Sequence, residues 1–585
     1  MLTNRVSIYF VFFLAIGAGV SRGDINLCRC VDSKSACWPS PEDWDAFNVT
    51  VCGRLILPKP TGSPCHGPHR SATLCQHIRN NWFDAYLRAD NAGSMQSENW
   101  EDDGQKSCSM YAPESSVCHQ GRVPLYGVQV ATTRDVQSAV KFAARHKLRV
   151  VVKTSGHDFL GRSSAAGSFL IWMHKWKNIT IDESFVSCGG ERGNPVVKVD
   201  GGVAWGEVYD ALKGTGWIVL GGMSLTVSAT GGFIQGGGHG ALGPSFGLGA
   251  DNVLQMEVVT ADGEFRVVNA CHDPELFFSL RGGGGGTFGV VVSVTYKLHK
   301  NPSNIVGAFL LLSPSNGTSW SVETQEEILT VWSRGTVSLD AALWAGYWGF
   351  SSVQFVGELV VPATLAAANA TLTPIVRALT QIENVTATYY VMRNHSTFQD
   401  WHAADYEVIY PGTLTDYTGH RVLLGSRIIP FSALKHPRRL AKSIVAAMAL
   451  GGNGAVLGHM VIGPGVRAAD PHRQTSVTTA WREGIWHLAS WSTWEWNATE
   501  VTKLAARNNM KGFVKSLHSA FPNAGAYLNE ASIDEPQWQR SFWGYSNYRR
   551  LMAVKLRVDP LGLFVCRKCV GSELWKEDGN CNRHY

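Results

Sequence analysis

The stretch VVVKTSGHDFLGRSS ends a β-branched run and then presents His157 and Asp158. Glycines on either side of the pair, Gly156 and Gly161, confine it to a turn. A neutral imidazole in such a turn is a nucleophile that can carry a covalently attached group. The alternative is a turn histidine that hydrogen bonds alone hold in place, and these residues by themselves leave both interpretations open.

Two further glycine-dense loops follow, over residues 230–252 and 280–298. Glycine has no Cβ, so the backbone N–H groups of such loops can approach a phosphate closely. Each of the three loops lies beside a β-rich run. Together they predict a large phosphate-bearing cofactor.

The segment Gly238–Gly243 matches the dinucleotide fingerprint G-x-G-x-x-G. That fingerprint functions only when a helix begins in its second half and directs its positive end at a pyrophosphate. Pro244, Gly247 and Gly249 interrupt any such helix. Residues 253–268 have the pattern of a hairpin instead. We therefore do not expect the nucleotide-binding fold of NAD enzymes.

The elements before the first loop form a β-α-β pattern. Strands are predicted over residues 125–130 and 148–153, with an amphipathic helix over 134–146 between them. Ligands of such units bind at the carboxyl ends of the strands. Because the second strand leads directly to His157, the pattern places the first loop at a ligand site.

Residues 303–520 alternate strand-like apolar stretches with helical ones and are rich in Trp and Tyr. This pattern predicts an antiparallel sheet that is covered by helices. The segment contains no catalytic motif. It is either the half that shapes a substrate site or plain structural α+β.

The N-terminus is typical of an exported protein. Arg5 precedes an apolar run that is short for a membrane span, and small residues near Gly23 suit signal-peptidase cleavage. A signal anchor is the alternative. Asn-x-Ser/Thr sequons, which indicate a glycoprotein of the secretory pathway, occur at Asn48, Asn178, Asn316, Asn369, Asn384, Asn394 and Asn497.

Cysteines are concentrated near the N-terminus, where eight of thirteen lie between Cys28 and Cys118. In an oxidising compartment this density predicts a region stapled by disulfides. Cys566 and Cys569 have the spacing of zinc ligands, but no second half of a zinc site follows. We predict disulfides to Cys581 or to a distant cysteine instead. The odd count leaves at least one thiol or an unusual pairing.

The composition is that of a globular protein, with 45% hydrophobic and 17% charged residues and a net charge of +5. The 585 residues suggest roughly three to four structural units. There is no block of Lys and Arg, so nucleic acid is not an expected partner. A membrane is not expected as a partner either.

The three glycine loops resemble the FAD loops of flavoproteins of the vanillyl-alcohol oxidase type, in the berberine-bridge-enzyme-like branch. GHDFLGRS at 156–163 resembles the first loop, and GGFIQGGGHGALGPSFGLGADNV and FFSLRGGGGGTFGVV resemble the second and third. NYRRLMAVKLRVDPLGLF at 547–564 resembles the C-terminal signature of the family. The N-terminal segment CRCVDSKSACWPSPEDWDAFN is similar to fungal members of the isoamyl-alcohol-oxidase type.

The resemblance implies an α+β fold with a two-part FAD-binding domain of the PCMH type. It also implies a substrate domain with an antiparallel sheet covered by helices. The domain bounds expected on this basis are a signal peptide over 1–23, a cysteine-rich segment over 24–120, the FAD-binding domain over 121–302, the substrate domain over 303–520 and a returning C-terminal segment over 521–585.

The family's first-loop histidine is bonded to the flavin 8α-methyl carbon, which implies covalent FAD through His157. Relatives with a second bond use a cysteine where this chain has Ser224. We therefore expect a single attachment. The further residues that the resemblance places at the cofactor are Thr154, Ser155, Gly156, Asp158, Gly161, Ser163, Thr226, Val227, Gly232, Gly236, Gly237, Val290 and Asn547.

The family's common reaction is oxidation of an alcohol by hydride transfer to flavin N5, followed by reoxidation by dioxygen to hydrogen peroxide. Hydride leaves more easily as the hydroxyl proton leaves, so a base is required. Glu530 falls about where relatives place a catalytic tyrosine, although it is equally readable as a solvated loop residue. Tyr527 and Tyr548 are the other catalytic candidates, and His239 is expected only to pack.

The expected protein is thus a secreted, monomeric oxidoreductase that acts on a CH–OH group of a small alcohol, a sugar or a secondary metabolite. No metal is assigned to it. Two other functions share the same motifs: an oxidative cyclase or dehydrogenase of secondary metabolism, and a flavin-binding glycoprotein without activity.

Overall fold

The computed structural model describes residues 27–583, except for 105, 191–192, 407–417 and 452. The predicted signal peptide, residues 1–23, lies outside the described residues. The strands of the described part form sheets of four, five, two and seven strands.

The four-stranded sheet leads into the first glycine loop. Its order is Leu55–Ile56, Tyr126–Gln129, Phe169–Trp172 and Val150–Lys153. The last three strands are parallel, and helix Thr133–Arg145 connects the first and the last of them. The predicted strand–helix–strand unit is confirmed, but its two strands do not pair directly because Phe169–Trp172 lies between them.

The sequence of the connecting helix explains where the helix begins and which of its faces packs on the sheet. Thr132 and Asp135 form a capping box, in which each side chain accepts a hydrogen bond from the other's backbone N–H. Val136, Ala139 and Val140 are fully buried against the sheet. Fully burying a valine contributes roughly 1.5–3 kcal/mol, so this face holds the helix in place.

The five-stranded sheet is antiparallel and carries the second and third glycine loops. Its order is Ile179–Phe185, Asn194–Asp200, Val290–Lys297, Val253–Val259 and Phe265–Asn269. The last two strands confirm the hairpin predicted over 253–268. A two-stranded ribbon, Trp217–Ile218 with His299–Lys300, lies beside it.

The helices of this part are short. After the fingerprint-like glycines the chain makes only one helical turn, Gly243–Phe246, with Pro244 near its start. The long phosphate-binding helix of NAD enzymes is therefore not formed there. The other helices of this part are Trp205–Leu212, Gly232–Gln235 and Pro274–Leu280.

The seven-stranded sheet is antiparallel, as predicted. Its order is Val385–His395, Ile305–Pro314, Phe355–Val361, Ala345–Phe350, Val456–Met460, Gly484–Trp494 and Arg421–Pro430. A core rich in Trp and Leu joins it to its covering helices. These helices are Val322–Ala341, Leu365–Thr380, Pro437–Met448 and Glu500–Ala520.

The remaining helices belong to the N-terminal region, the C-terminal segment and the loops of the large sheet. The C-terminal helix Trp538–Val558 is kinked at Gly544, which has φ 72°. The shorter ones are Pro41–Thr50, Ala72–Asn80, Ala85–Ala89, Phe398–Trp401, Pro464–Ala468 and Ala480–Glu483. Among the described residues, no helix is long and apolar enough to cross a membrane.

Disulfides staple the N-terminal region, as predicted, and also join it to the C-terminus. Cys52 has an exposed, unpaired thiol. The prediction for Cys566 and Cys569 is wrong, because they pair with each other. The six disulfides are Cys28–Cys581, Cys30–Cys37, Cys65–Cys75, Cys108–Cys118, Cys188–Cys271 and Cys566–Cys569.

Candidate active site

A narrow groove, which we call the loop cleft, runs among the three glycine loops. A Cβ on Gly285 would lie 3.2 Å from the Cα of Gly232, and one on Gly231 would lie 2.6 Å from the Oγ1 of Thr154. The loops approach one another so closely because these positions are glycine. Residues Phe564–Cys566 of the C-terminal segment complete the lining.

The cysteine-rich region forms hydrogen bonds with the first glycine loop and with the strand that leads into it. The Nζ of Lys153 donates hydrogen bonds of 2.6–3.0 Å to three carbonyl oxygens within residues 91–94. Gln96 donates its backbone N–H to the carbonyl of Gly156 and its side-chain amide to that of Ser155. Burial lowers the pKa of Lys153 to about 7. The first loop is thus held by hydrogen bonds from outside its own sheet.

Two residues that line the loop cleft each have one buried polar atom without a hydrogen-bond partner among the described residues. These atoms are the Nη1 of Arg162 and the Oε1 of Gln235. The carboxylate of Asp158 anchors Arg162 through its Nε at 3.0 Å. A guanidinium and a backbone that only glycine permits suit a diphosphate group. The cleft therefore fits the FAD that the sequence implies.

A second space, which we call the central cavity, lies between the second glycine loop and the seven-stranded sheet and measures about 380 Å³. His157, Val227 and Phe233 line both the cavity and the loop cleft. The Nε2 of His157 lies 2.7 Å from the Oγ1 of Thr226, which orients the imidazole at the junction. His157 would therefore hold a flavin where the loop cleft and the central cavity meet.

Most of the predicted cofactor residues meet in these two spaces. Those that line the loop cleft are Thr154, Ser155, Gly156, His157, Asp158, Ser163, Val227 and Gly232. Thr226 contacts His157 directly. Arg162, Gln235 and Phe233 also line the cleft and were not predicted.

Five other predicted residues lie outside the lining of the cleft. A Cβ on Gly161 would meet the Trp100 ring at 2.3 Å, so this glycine serves packing. Val290 is fully buried in its strand, and the side-chain amide of Asn547 donates to the carbonyls of residues 476 and 477. The remaining two, Gly236 and Gly237, lie against the side chains of Asn529 and Val477.

Four side chains meet at one wall of the central cavity, and we call them the histidine–glutamate cluster: His239, His459, His487 and Glu530. All but His487, which is fully buried, line the cavity. Their facing nitrogen and oxygen atoms all lie within 4.8 Å of one another. The Nε2 of His239 is 3.1 Å from Oε1 of Glu530. The Nδ1 atoms of His459 and His487 are 2.9 Å apart, and they lie 3.7 and 3.5 Å from Oε2 of Glu530.

Strand register brings the two sheet histidines together. His459 and His487 are direct partners on neighbouring antiparallel strands, and Tyr347 is the partner of His459 on its other side. Side chains of directly opposite residues share one face of a sheet. His239 comes from the second glycine loop, and Glu530 comes from the short 3₁₀ turn Leu528–Glu530.

Burial sets the charge of the cluster. It lowers the pKa of His459 to about 4 and that of His487 well below its usual range, so both imidazoles are neutral at pH 7. Burial opposes ionisation of Glu530, but the imidazoles hold the pKa of this carboxyl well below its usual range, foremost His239 through its electrostatic interaction and then through its hydrogen bond. The cluster is thus an ionised carboxylate among imidazoles, which can accept a hydrogen bond from a bound hydroxyl.

The two catalytic tyrosine candidates lie in different places. Tyr527 lines the central cavity, and its hydroxyl accepts a hydrogen bond of 2.7 Å from the amide of Asn529. Burial raises the pKa of Tyr527 well above its usual range. Tyr548 is not part of the cavity lining in the described chain. Its hydroxyl contacts the carboxylate of Glu573 and accepts from the N–H of Gly571.

Sequence reasoning did not find His459 and His487. Each is a single histidine inside an apolar strand, in VLGHMV and GIWHLAS. Such an isolated polar residue on a buried strand was the available signal. No spacing motif connects the two residues, because their contact depends on the pairing of strands that are distant in sequence.

Two family models match the chain. Residues 124–269 match the FAD binding domain, and residues 526–570 match the family described as berberine and berberine like. An uncharacterized FAD-linked oxidoreductase of Arthroderma benhamiae is 36% identical over 99% of this chain and 100% of its own length. The VAO-type flavoprotein oxidase VAO615 of Thermothelomyces thermophilus is 32% identical over 96% of each chain.

A solved structure is similar over nearly the whole chain. The VAO-type flavoprotein MtVAO713 from Myceliophthora thermophila C1 has a TM-score of 0.87 at 26% identity, covering 96% of this chain and 100% of that one. The fold and site define an FAD-dependent oxidoreductase. The chain belongs to the berberine-bridge-enzyme-like branch of the VAO-type flavoproteins.

Proposed function

We propose that the protein oxidises the hydroxyl-bearing carbon of an apolar alcohol to a carbonyl, with dioxygen as the final oxidant and hydrogen peroxide as the second product. Bound FAD supplies the hydride acceptor for this reaction. The observation that carries the proposal is that His157 faces the same cavity as His239, His459 and Glu530 of the histidine–glutamate cluster. An alcohol between them has a proton acceptor on one side and the cofactor position on the other.

Glu530 is the base in this proposal. Its Oε1 is held at 3.1 Å by His239, and its side chain lines the cavity. A hydroxyl bound there donates its hydrogen bond to the carboxylate, and proton transfer to the carboxylate lowers the barrier to hydride departure. Tyr527 and Tyr347 flank the same position and restrict how the alcohol lies.

The lining of the cavity favours an apolar substrate over a sugar. Among the described residues, no Lys or Arg lines it. Polar side chains line only part of it, at Ser224, Gln354 and Asn529 besides the two tyrosines and the cluster, so a sugar would bury hydroxyls without partners against the rest of the surface, which is unfavourable. A secondary-metabolite or aliphatic alcohol suits the apolar lining residues, which are Phe159, Met223, Val227, Phe233, Val356, Leu424, Leu457, Ala489 and Trp491.

His157 is proposed as the single covalent attachment. It stands where the loop cleft and the central cavity meet, and Ser224 lines the cavity at the position where a second attachment would need cysteine. Acid-precipitated wild-type protein should retain yellow colour, and the His157→Ala variant should release it. The exposed His272→Ala variant is the control that should retain it. Release of flavin from the wild type would contradict this attachment.

Export to an oxidising compartment is also proposed. Six disulfides support it, because such bonds persist outside the reducing cytosol. Five of the sequon asparagines are exposed and open to glycosylation: Asn178, Asn316, Asn369, Asn394 and Asn497. Secretion of the full-length chain by a fungal host would support export. A mass that falls after glycosidase treatment would support glycosylation.

The experiment that tests the reaction is anaerobic bleaching of the bound flavin by a panel of alcohols. We expect long-chain and aromatic alcohols to bleach the absorbance, sugars to leave it unchanged, and air to restore it with one peroxide per flavin. Flavin that stays oxidised with the whole panel would favour the inactive flavin-binding glycoprotein. Bleaching with a cyclised product would favour the oxidative cyclase, and slow recovery in air would favour the dehydrogenase.

A further inference from the structure

We propose that the histidine–glutamate cluster binds one divalent first-row transition metal ion, such as Zn²⁺, and that the bound ion blocks alcohol oxidation. The ligands would be Nε2 of His239, Nδ1 of His459, Nδ1 of His487 and the carboxylate of Glu530. This set of three imidazoles and one carboxylate is of the kind that Zn²⁺ and its neighbours in the first row prefer.

The spacing of the four groups suits a shared ion. Zinc lies about 2.0–2.1 Å from imidazole nitrogen, so two ligands of one ion are about 3.0–3.4 Å apart at angles between square and tetrahedral. The contacts between His459 and His487 and between His239 and Glu530 measure 2.9 and 3.1 Å. The distances from the two Nδ1 atoms to Oε2 of Glu530 are 3.5 and 3.7 Å. Other pairs of ligand atoms in the cluster are up to 4.8 Å apart, so side-chain movements of about 1 Å would complete a coordination sphere.

The ligands come from rigid and independent parts of the fold. His459 and His487 are paired residues of the large sheet, His239 belongs to a glycine loop that packs on it, and Glu530 belongs to the C-terminal segment. Three of the four side chains are at least nine-tenths buried: His239, His459 and His487. A site held in this way is preorganised, so little conformational freedom is lost on binding.

Charge supports the same assignment. Among the described residues, the central cavity is lined by no Lys or Arg, and the three imidazoles lie next to the partly buried carboxylate of Glu530. A buried anion is stabilised by a cation, and a divalent ion supplies that charge at the point where four lone-pair groups converge. The apolar remainder of the lining would keep competing water away from the ion.

The ion and the catalytic base would compete for one carboxylate. When Glu530 coordinates the metal, its oxygens no longer accept a hydroxyl proton. Bound metal should therefore slow flavin reduction by an alcohol at least ten-fold, and a chelator should restore the rate. This inhibition rests on the proposed alcohol oxidation, whereas metal binding itself does not.

The test uses the untagged, flavin-containing chain after removal of metal with dipicolinate. Titration with Zn²⁺ in a calorimeter, followed by elemental analysis, should give one ion per chain. Zinc X-ray absorption of the wild type should show a shell of nitrogen and oxygen at about 2.0–2.1 Å with the outer-shell signal of three imidazoles. The His459→Ala variant should bind at least a hundred-fold more weakly. His174→Asn, which removes a buried histidine outside the cluster, should bind like the wild type.

Absence of a one-to-one site in the wild type, or a zinc shell with fewer than two imidazoles, would overturn the proposal without depending on how any variant folds. Zinc bound in the cluster while alcohols still reduce the flavin at the metal-free rate would overturn the inhibitory part. A chain that binds zinc but oxidises no alcohol would refute the proposed function and keep the metal site. An active alcohol oxidase that binds no zinc would refute the metal site and keep the proposed function.

Discussion

The loop cleft and the far wall of the central cavity are built in opposite ways. The cleft is made of contiguous stretches in which glycine brings backbone close to backbone, as at Gly231, Gly232 and Gly285. The cavity wall is made of single side chains, such as His459 and Glu530, that the fold collects from distant segments. Cofactor binding is therefore encoded locally, and the chemistry done on a substrate is encoded by tertiary structure.

Because of this difference, we expect separate effects on turnover and on flavin retention, which a measurement of activity alone would not distinguish. Changes in the cavity wall should alter turnover and leave the flavin content unchanged, because the wall does not hold the cofactor's diphosphate. Changes that loosen the segments around the cleft should alter flavin retention and stability first. The predictions below follow this separation from the largest expected effect to the smallest.

The Glu530→Gln substitution should lower the rate of anaerobic flavin reduction by about 10²–10⁴-fold, because it removes the base and preserves the shape of the side chain. The flavin-to-protein ratio should match that of the wild type. Stopped-flow absorbance measures the rate. Tyr548→Phe is the matched control, since its hydroxyl lies against Glu573 and not in the cavity, and its rate should be unchanged. An equal loss of rate in both variants would contradict the assignment of the base to the cavity wall.

The Cys28–Cys581 disulfide joins the two ends of the described chain, and the adjacent Arg29 donates hydrogen bonds to the carbonyls of Leu561 and Gly562. Replacing both cysteines by serine should lower the free energy of unfolding by about 2–5 kcal/mol, near the upper end because the closed loop is long. Removing Cys30–Cys37, whose sequence separation is 7 against 553, should have a smaller effect. Denaturant unfolding measures both, and equal effects would contradict the loop-length explanation.

Buried carboxylates between the cysteine-rich region and the seven-stranded sheet should make the stability of the fold depend on pH. Glu98 and Asp102 share Arg421, and Glu101 lies beside them with Arg88. Burial raises the pKa of Glu98 to about 7 and that of Asp102 to about 6. In the unfolded chain these carboxyls have their ordinary pKa values of 4.5 and 3.8. Each therefore keeps its proton to a higher pH in the folded chain than in the unfolded chain.

The free energy of unfolding should consequently be largest below about pH 3.8 as far as these two groups contribute, and should fall by several kcal/mol, at most about 6 kcal/mol, as the pH rises to 7. Unfolding curves in guanidinium across this range measure the slope. Glu98→Gln should flatten it. An unchanged slope in that variant would assign the dependence to other groups.

The smallest effect concerns the shape of the cavity. A Cβ on Gly349 would meet no atom within 4 Å, and this residue lines the central cavity. Gly349→Ala should lower kcat/KM about ten-fold for the bulkiest accepted alcohol and leave the smallest unaffected, because a methyl group takes substrate space. The exposed Gly189→Ala, also without contacts, should change neither value. Equal losses for all alcohols would contradict a purely steric role.

The cofactor half of the molecule could be predicted from the sequence because its determinants are local. The strands and helix before His157, the glycine loops and the hairpin at 253–268 each depend on neighbouring residues. The order of the strands was not predictable, since Phe169–Trp172 inserts between two strands that precede it in sequence. Cysteine pairing was missed at Cys566, whose partner Cys569 is only three residues away, because the spacing of a Cys-x-x-Cys pair does not show whether the two bond to each other or to other partners.

The substrate half could be predicted only as a class of architecture. Alternation indicates an antiparallel sheet, but a single-residue slip in strand register would move a histidine to the opposite face. The meeting of His459 and His487 therefore lay beyond a reading of local pattern. Glu530 was identified through the resemblance, and its three imidazole neighbours emerge only from the fold.

The central claim is that an alcohol loses hydride in the central cavity, and isotopic substitution at the reacting carbon tests it most directly. The measurement compares the anaerobic rates of flavin reduction by one apolar alcohol with hydrogen or deuterium on that carbon. A slower rate with deuterium, together with one carbonyl product per flavin reduced, is the predicted result. Equal rates without a carbonyl product, or a flavin that stays oxidised, would contradict the account.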